Sequence, residues 1–435
     1  MTQPETSCPE IAAWIGLDWA DQFHVTCLEP AAGGERETAT LQQSPEALEQ
    51  WAQQLRQRFE GGRVAIALEQ SRGAITYALL KYDFLILYPV NPLAFSQYRK
   101  SFKPSGAKSD SADAALLLNF LLERRGELRP LQPDDPLTRS LRLLTEGRRQ
   151  LVDQSTALTN QLTDQLKKCF PQALGWLGKL DSLLACDLLE QWPTLEDLQK
   201  VKPKALLRFF QQRHPRRLEW LKTWMAQIQP AQPLTTDPAL LLSSSLMVRA
   251  LVRQLRQLVL AIQEYDRQIK QLYEQHPDHD LYKSLPGAGS ALGPRLLSAL
   301  GSDRGRFQCA AEIQSLAGIA PVTESSGKTC YVHWRTSCPK FLRQTFQEFA
   351  AQSIHFSAWA RAYYQQQRAK GVNYYAAVRA LAFKWIRLIF RCWKNRTPYH
   401  ESIYLKALAL RGSPLVAKLE KPSPQSSCGK SARIL

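Results

Sequence analysis

Along the first 125 residues, short apolar runs alternate with amphipathic stretches. Ile11 to Leu17 is an apolar strand that ends at Asp18, and Phe23 to Leu28 and Glu37 to Leu41 read as short strands of a meander, with Gly33 and Gly34 supplying a turn. Ser44 before Pro45 predicts a helix start, and Leu48, Trp51, Leu55 and Phe59 mark a buried face that lasts until Gly61 and Gly62 stop the helix. Arg63 to Leu68 forms the next strand, closed by Glu69, and Phe84 to Val90 forms another before Asn91 and Pro92. A further helix carries Leu116, Leu117, Phe120 and Leu121, with Asp110 and Asp113 in its first turn.

Beyond residue 130 the apolar spacing turns helical. Leu137, Leu141, Leu144, Leu151, Leu158 and Leu162 step by threes, fours and sevens, interrupted by Arg148 and Ser155. Val248, Leu251, Leu255, Leu258, Ile262, Tyr265, Ile269 and Leu272 alternate three and four without a miss, which is a coiled-coil pattern. Two such helices can pair antiparallel within one chain or meet a second copy, and the spacing permits both. The stretch between them reads as a helical insertion with a Pro-rich linker over 229–233 and a basic cluster of Arg213, His214, Arg216 and Arg217.

The predicted fold class is therefore α/β plus all-α. Three strands, a helix, a strand, a helix, a strand and a helix is the element order of a ribonuclease-H-like (RuvC-like) domain, expected over 1–130. A coiled-coil helical middle is expected over 131–280, a mostly helical C-terminal domain over 281–410 and a flexible tail over 411–435. In an open α/β sheet, functional groups gather beyond the carboxyl ends of the strands, where Asp18 and Glu69 fall.

Composition adds limits. A chain of 435 residues with 44% hydrophobic content is long enough for two or three domains with well-buried cores. No apolar run reaches the roughly 18 residues that a membrane span needs, and residues 1–10 carry acids but no Lys or Arg, unlike a signal peptide. The nine cysteines are scattered and never in Cys-x-x-Cys spacing, which predicts free thiols in a cytoplasmic protein and no structural zinc. Charge is the more telling feature: residues 1–130 hold 13 Lys and Arg against 16 Asp and Glu, whereas residues 301–435 hold 21 against 6. A near-neutral head with a strongly basic body suits a protein that brings an acidic site to a polyanion. Aromatic residues interleaved with the cations, including Tyr331, Trp334, Tyr363 and Trp393, suit base stacking as well as core packing.

Four acids carry the candidate chemistry. Asp18 and Glu69 close strands, while Asp110 and Asp113, three apart at a helix start, can face the same side. Acids in a first helical turn also complement the macrodipole. Together with two strand-end carboxylates, however, they make a hard-oxygen set suited to two Mg²⁺ ions and phosphodiester chemistry. Pro286, Gly287, Ala288 and Gly289 read as the turn of a helix-hairpin-helix, whose backbone N–H groups can hold a phosphate. A polar loop from Val322 to Lys328 contains Ser325, Ser326 and Gly327, where a serine beside glycine is either a nucleophile or an ordinary turn residue.

Gly16-Leu17-Asp18 with His24, Leu68-Glu69-Gln70-Ser71, Val90-Asn91-Pro92 and the run from Lys108 to Ala114 together resemble the DEDD insertion-sequence transposases of the IS110 family, which are bridge-RNA-guided recombinases. Pro286-Gly287-Ala288-Gly289, Ala317-Gly318-Ile319-Ala320-Pro321 and Ser325-Ser326-Gly327 match the family's second half, so the resemblance runs from residue 12 to about 395 in the family's order. It implies a DNA transposase in which Asp18, Glu69, Asp110 and Asp113 bind Mg²⁺ and Ser326 forms a phosphoseryl intermediate. Ser325 is the alternative nucleophile. It further implies donor and target DNA, a noncoding bridge RNA, a homodimer or homotetramer with a composite active site, and a cytoplasmic protein at the nucleoid when acting. Nucleic-acid contacts are expected at Pro286, Gly287, Gly289, Lys328, Arg335, Lys340, Arg343, Lys384, Arg387, Arg391 and Lys394. The competing readings are a metal-dependent junction-resolving nuclease, which needs the acids but not Ser326, and a catalytically inactive nucleic-acid-binding protein.

Overall fold

Three antiparallel strands, β1 (Ile11–Asp18), β2 (Phe23–Pro30) and β3 (Glu37–Gln42), open the computed structural model, which describes residues 11–69, 73–102, 109–327 and 329–415. They are followed by α1 (Pro45–Arg58), β4 (Arg63–Leu68), α2 (Ala74–Leu79), β5 (Leu85–Pro89), α3 (Pro92–Phe102) and α4 (Asp110–Arg124). This is the element order that the hydrophobic pattern predicts with one helix more, since α3 precedes the expected final helix, α4. The strands form one mixed sheet in the order β3-β2-β1-β4-β5, with β1, β4 and β5 parallel.

Strand alternation divides the sheet between two helical layers. Ala13, Ile15 and Leu17 of β1 and Val64, Ile66 and Leu68 of β4 enter one core with Leu48 and Leu55 of α1 and Leu79 of α2. The intervening Ala65 and Ala67 meet Leu117 and Leu121 of α4 and Phe95 of α3 on the other face. Local signals set the elements. The Ser44 hydroxyl accepts from the Ala47 N–H at 3.2 Å, capping α1 ahead of Pro45, and Gly61 at φ +77° lets the chain turn back into β4.

A second unit begins at Asp134. It holds two long helices, α5 (Pro136–Cys169) and, after the insertion, α11 (Pro238–Gln275). The insertion consists of α6 (Gln172–Leu177), α7 (Leu183–Gln191), α8 (Leu195–Gln199), α9 (Pro203–Arg213) and α10 (Leu218–Ile228). Of the two pairings that the apolar seams allow, the structure takes the antiparallel one within the chain. Leu141, near the start of α5, shares a core with Ile269 and Tyr273 near the end of α11, and Leu162 and Leu166 share another with Val248 and Leu255. Between them, Arg148 donates from Nε and Nη2 to the Asp266 carboxylate at 2.5 and 3.1 Å.

The chain continues through α12 (His279–Lys283), α13 (Gly289–Leu300), α14 (Ala310–Leu316), a hairpin of β6 (Val322–Ser326) and β7 (Thr329–His333), then α15 (Lys340–Phe356), α16 (Ala358–Ala369), α17 (Tyr374–Asn395) and α18 (Glu401–Leu410). Three fully buried indoles anchor this part, and each N–H is satisfied: Trp359 donates to the Tyr399 hydroxyl, Trp385 to Ser353 Oγ and Trp393 to the Gly301 carbonyl. The tail expected over 411–435 lies outside the described residues from residue 416 onward. Among the described residues no helix is long and apolar enough to cross a membrane.

Candidate active site and nucleic-acid interface

Gly16 explains how the acidic residues reach one edge of the sheet. A Cβ at this position would stand 2.0 Å from the Ala114 carbonyl oxygen and 2.5 Å from the Leu118 nitrogen, so α4 crosses β1 backbone to backbone. At the other end of the crossing the Arg125 guanidinium lies 5.7 Å from the Trp14 ring. The helix therefore runs antiparallel to β1, and its first turn, with Asp110 and Asp113, points toward the strand end that carries Asp18. Leu17 of β1 pairs with Leu68 of β4, which makes Asp18 and Glu69 lateral neighbours. Both follow residues committed to the α1 side, so alternation turns both toward the α4 face.

Asp18 and Glu69 are half-buried, Asp110 is exposed and Asp113 is 2% exposed. Asp113 Oδ2 accepts from Arg99 Nη1 of α3 at 2.9 Å, while Asp113 Oδ1 is buried and accepts no hydrogen bond. A buried carboxylate oxygen without a donor is a position that a cation can fill. In its present arrangement, no three His, Cys, Asp or Glu among the described residues are grouped to hold a metal ion. By chemistry the donor set fits magnesium; by arrangement the arginine holds the place of a cation.

Of the segment read as a polar loop from Val322 to Lys328, Val322 to Ser326 is instead one arm of the β6–β7 hairpin. The difference is physical: exposed polar residues conceal a strand when its partner strand is polar as well. Ser326 pairs with Thr329 at the tip, and Gly327 takes φ +58°, a left-handed conformation that glycine adopts without steric cost. Alternation places Ser326 and Ser325 on opposite faces, Ser325 beside Cys330. Ser326 shares its face with Glu324, Tyr331 and His333, where His333 Nε2 lies 3.4 Å from Glu324 Oε2.

The expected nucleic-acid contacts divide by environment. Lys328 lies outside the described residues. Lys340, Arg387 and Arg391 are exposed, Lys384 is half-buried, and the Lys394 ammonium is engaged by the Arg304 and Phe307 carbonyls at 2.6 and 3.3 Å. Arg335 is half-buried with Nε unpartnered, and Arg343 donates to the Thr336 carbonyl. The Pro286–Gly289 turn packs inward at Gly287, where a Cβ would stand 2.8 Å from the Phe356 ring, and opens outward at Gly289. The helix before that turn, α12, is only five residues long.

Two features escaped the sequence reading. Arg99 gives no signal, because the α3–α4 packing that aims it at Asp113 is tertiary. Arg379 also falls outside the 384–387–391–394 stripe; it stands 4.8 Å from the Trp334 ring centroid, with Arg343 at 5.0 Å from the same ring. Its position eight residues before Arg387 on one helix was the available clue.

Comparison with known proteins bears on most of the chain. Residues 15–171 match the DEDD_Tnp_IS110 transposase family, and residues 279–365 match the family described as Transposase IS116/IS110/IS902. A mini-circle protein named as putative transposase for IS117 in Streptomyces coelicolor is 26% identical over 403 residues, which cover 90% of this chain and 96% of that protein. The 42 kDa protein of insertion element IS900 from Mycobacterium paratuberculosis is 26% identical over 78% of this chain and 85% of its own. The 43.6 kDa protein of insertion element IS110 from Streptomyces coelicolor is 27% identical over 68% of this chain and 73% of its own.

Proposed function

We propose, for a chain that belongs to the IS110 family of insertion-sequence transposases, that its cutting and rejoining of DNA run through a serine-linked intermediate beside an acidic magnesium site, with a noncoding bridge RNA selecting the DNA. The observation that carries this reading is the acidic edge: β1–β4 pairing sets Asp18 beside Glu69, and the close approach at Gly16 brings the first turn of α4 to the same end. In this reading the first unit is a ribonuclease-H-like domain. The alternation that turns both strand-end acids toward α4 supports Asp18, Glu69, Asp110 and Asp113 as the magnesium ligands, and the unpartnered Asp113 Oδ1 is a ready donor. Bound there, magnesium would offset negative charge at the reacting phosphate.

The remaining chemistry belongs to the chain's own residues. Ser326 Oγ attacks the phosphorus. A phosphorus–serine ester forms as the bond from phosphorus to the sugar oxygen breaks, and that oxygen leaves as a hydroxyl after taking up a proton. The serine proton is lost to a base, for which Glu324, two residues back on the same face, is the carboxylate at hand. Attack by the sugar hydroxyl of a second strand reverses the step and restores the serine, so rejoining needs no ATP. Exposure of Ser326 at a hairpin tip supports the role, since a duplex cannot enter a buried site. Sequence choice rests on base pairing with the RNA, and the basic residues of 301–435 hold the backbones. The assembly is a homodimer or homotetramer in which the acids of one subunit meet the serine of another.

Incubation with donor and target DNA, RNA copurified with the protein and Mg²⁺, followed by denaturing electrophoresis, tests this reading. Wild-type protein and Ser325→Ala should give a protein–DNA adduct that survives detergent, whereas Ser326→Ala should not. An undiminished adduct from Ser326→Ala would remove the serine from the mechanism.

A further inference from the structure

At the base of the Ser326 hairpin, between β7 and α17, lies a cavity of about 620 Å³ whose walls include Trp334, Tyr363, Phe383, Arg379, Lys384 and Arg387. The volume falls within the roughly 300–1,000 Å³ of small-molecule sites. Its chemistry is two-sided. The aromatic walls offer flat apolar surface, with the Lys384 ammonium 4.7 Å from the Tyr363 ring centroid and the guanidinium groups of Arg343 and Arg379 at 5.0 and 4.8 Å from the Trp334 ring centroid. The cations lack counterions: among the described residues no carboxylate forms an ion pair with Arg379, Lys384 or Arg387. Burial pushes the pKa of Arg379 down, with Arg343 adding to the effect, and burial together with nearby Arg387 does the same to Lys384. Arg379 and Lys384, half-buried cations with no anion of their own, are costly until one is supplied.

We propose that this cavity holds one unstacked nucleotide of a bound strand, its base against Trp334 and Tyr363 and its phosphate on Arg379, Lys384 and Arg387. Such a site combines ring stacking with backbone charge, as single-strand recognition does. The hairpin register locates the nucleotide. Ser326 pairs with Thr329 at the tip and Val322 with His333, a cavity wall residue, at the base. Four residues of strand at about 3.3 Å each span roughly 13 Å, or about four stacked nucleotides at roughly 3.4 Å each. The captured nucleotide thus lies within about four positions of the phosphate that Ser326 attacks. This location rests on Ser326 as nucleophile; the existence of the site does not.

The test uses full-length Ser326→Ala protein, so that binding is read without covalent chemistry. Two sets of single-stranded oligonucleotides, one DNA copy of the element end and one RNA copy, carry 2-aminopurine at successive single positions. One position should change its fluorescence at least threefold more than its neighbours, with the DNA or the RNA set giving the signal and so naming the strand. Trp334→Ala and Arg379→Gln should abolish that contrast and Trp334→Phe should keep it, with circular dichroism showing all three folded. Equal responses at every position in both sets, or a contrast that survives Trp334→Ala, would overturn the proposal. A contrast more than about four nucleotides from the cleavage point would keep the cavity and sink Ser326 as nucleophile.

Discussion

The Arg99 guanidinium and the Asp113 carboxylate meet at 2.9 Å, with Asp113 only 2% exposed. A buried carboxylate needs a positive partner, and here a side chain supplies one. Removing the arginine leaves the charge uncompensated. Arg99→Ala should therefore cost on the order of 3 kcal/mol of stability in metal-free buffer, and Mg²⁺ should recover much of it. Thermal melts with and without Mg²⁺ check this. Equal Mg²⁺ shifts in Arg99→Ala and in Arg99→Ala with Asp113→Asn would rule out metal binding at that carboxylate.

Gly16 is needed for space rather than for backbone freedom. Gly16→Ala should destabilise the first unit by about 1–3 kcal/mol through overpacking and should abolish recombination by pushing the first turn of α4 off the strand end. Gly126→Ala, where an added Cβ meets nothing within 4 Å, is the matched control and should be nearly neutral. Urea titration of both variants reads the difference; similar midpoints would contradict the close approach of α4 and β1.

The basic stripe on α17 should separate by function. Replacing Lys384, Arg387 and Arg391 with Gln should weaken nucleic-acid binding and reduce the slope of log K against log salt by about 0.9 for each duplex phosphate no longer neutralised. Lys394→Gln should instead lower stability, because its ammonium holds the Arg304 and Phe307 carbonyls. Filter binding across a salt series, with a melting curve for each variant, distinguishes the two. An unchanged slope in the triple variant would make the stripe merely solvated surface.

His276 should give the second unit a pH dependence. It is buried, its Nδ1 accepts from the Asp278 N–H at 3.0 Å, and its Nε2 lies 2.9 Å from the Thr138 hydroxyl, whose proton goes to Asp135. Both ring nitrogens are thus satisfied by the neutral form, and burial holds the pKa below its usual 6.5. Below about pH 6.5 the unfolded chain takes up a proton that the folded chain refuses. Stability is therefore fully present above that pH and falls as the pH drops toward the folded pKa, by up to about 1.4 kcal/mol per unit. His276→Gln should flatten the curve between pH 6.5 and 5; an unaltered slope would assign the dependence elsewhere.

Much of the first unit was legible in the sequence, because a single sheet with one helical layer per face writes its alternation directly into residues such as Ile15, Leu17, Ala65 and Ala67. The strand-end position of Asp18 and Glu69 followed from the same pattern. The pairing of α5 with α11 was only half legible: the seams called for partners, but neither seam names its partner. The β6–β7 hairpin was not legible as strands, since Thr323, Glu324, Ser325 and Ser326 bury nothing and so leave no apolar period. Arg99 and the Trp334 cluster depend on packing between elements far apart in the chain, which local spacing does not encode.

The hairpin that presents Ser326 is exposed at nine of its ten strand positions. Two strands with so little buried face draw little stability of their own from packing. The proposed nucleophile therefore rides on an element whose order must come from whatever lies against it. A bound strand seated along the hairpin supplies that order, and its absence withholds it. On the proposed mechanism, the cost of an idle, reactive serine would thereby be avoided without an inhibitor, because the substrate would complete the tool that cuts it.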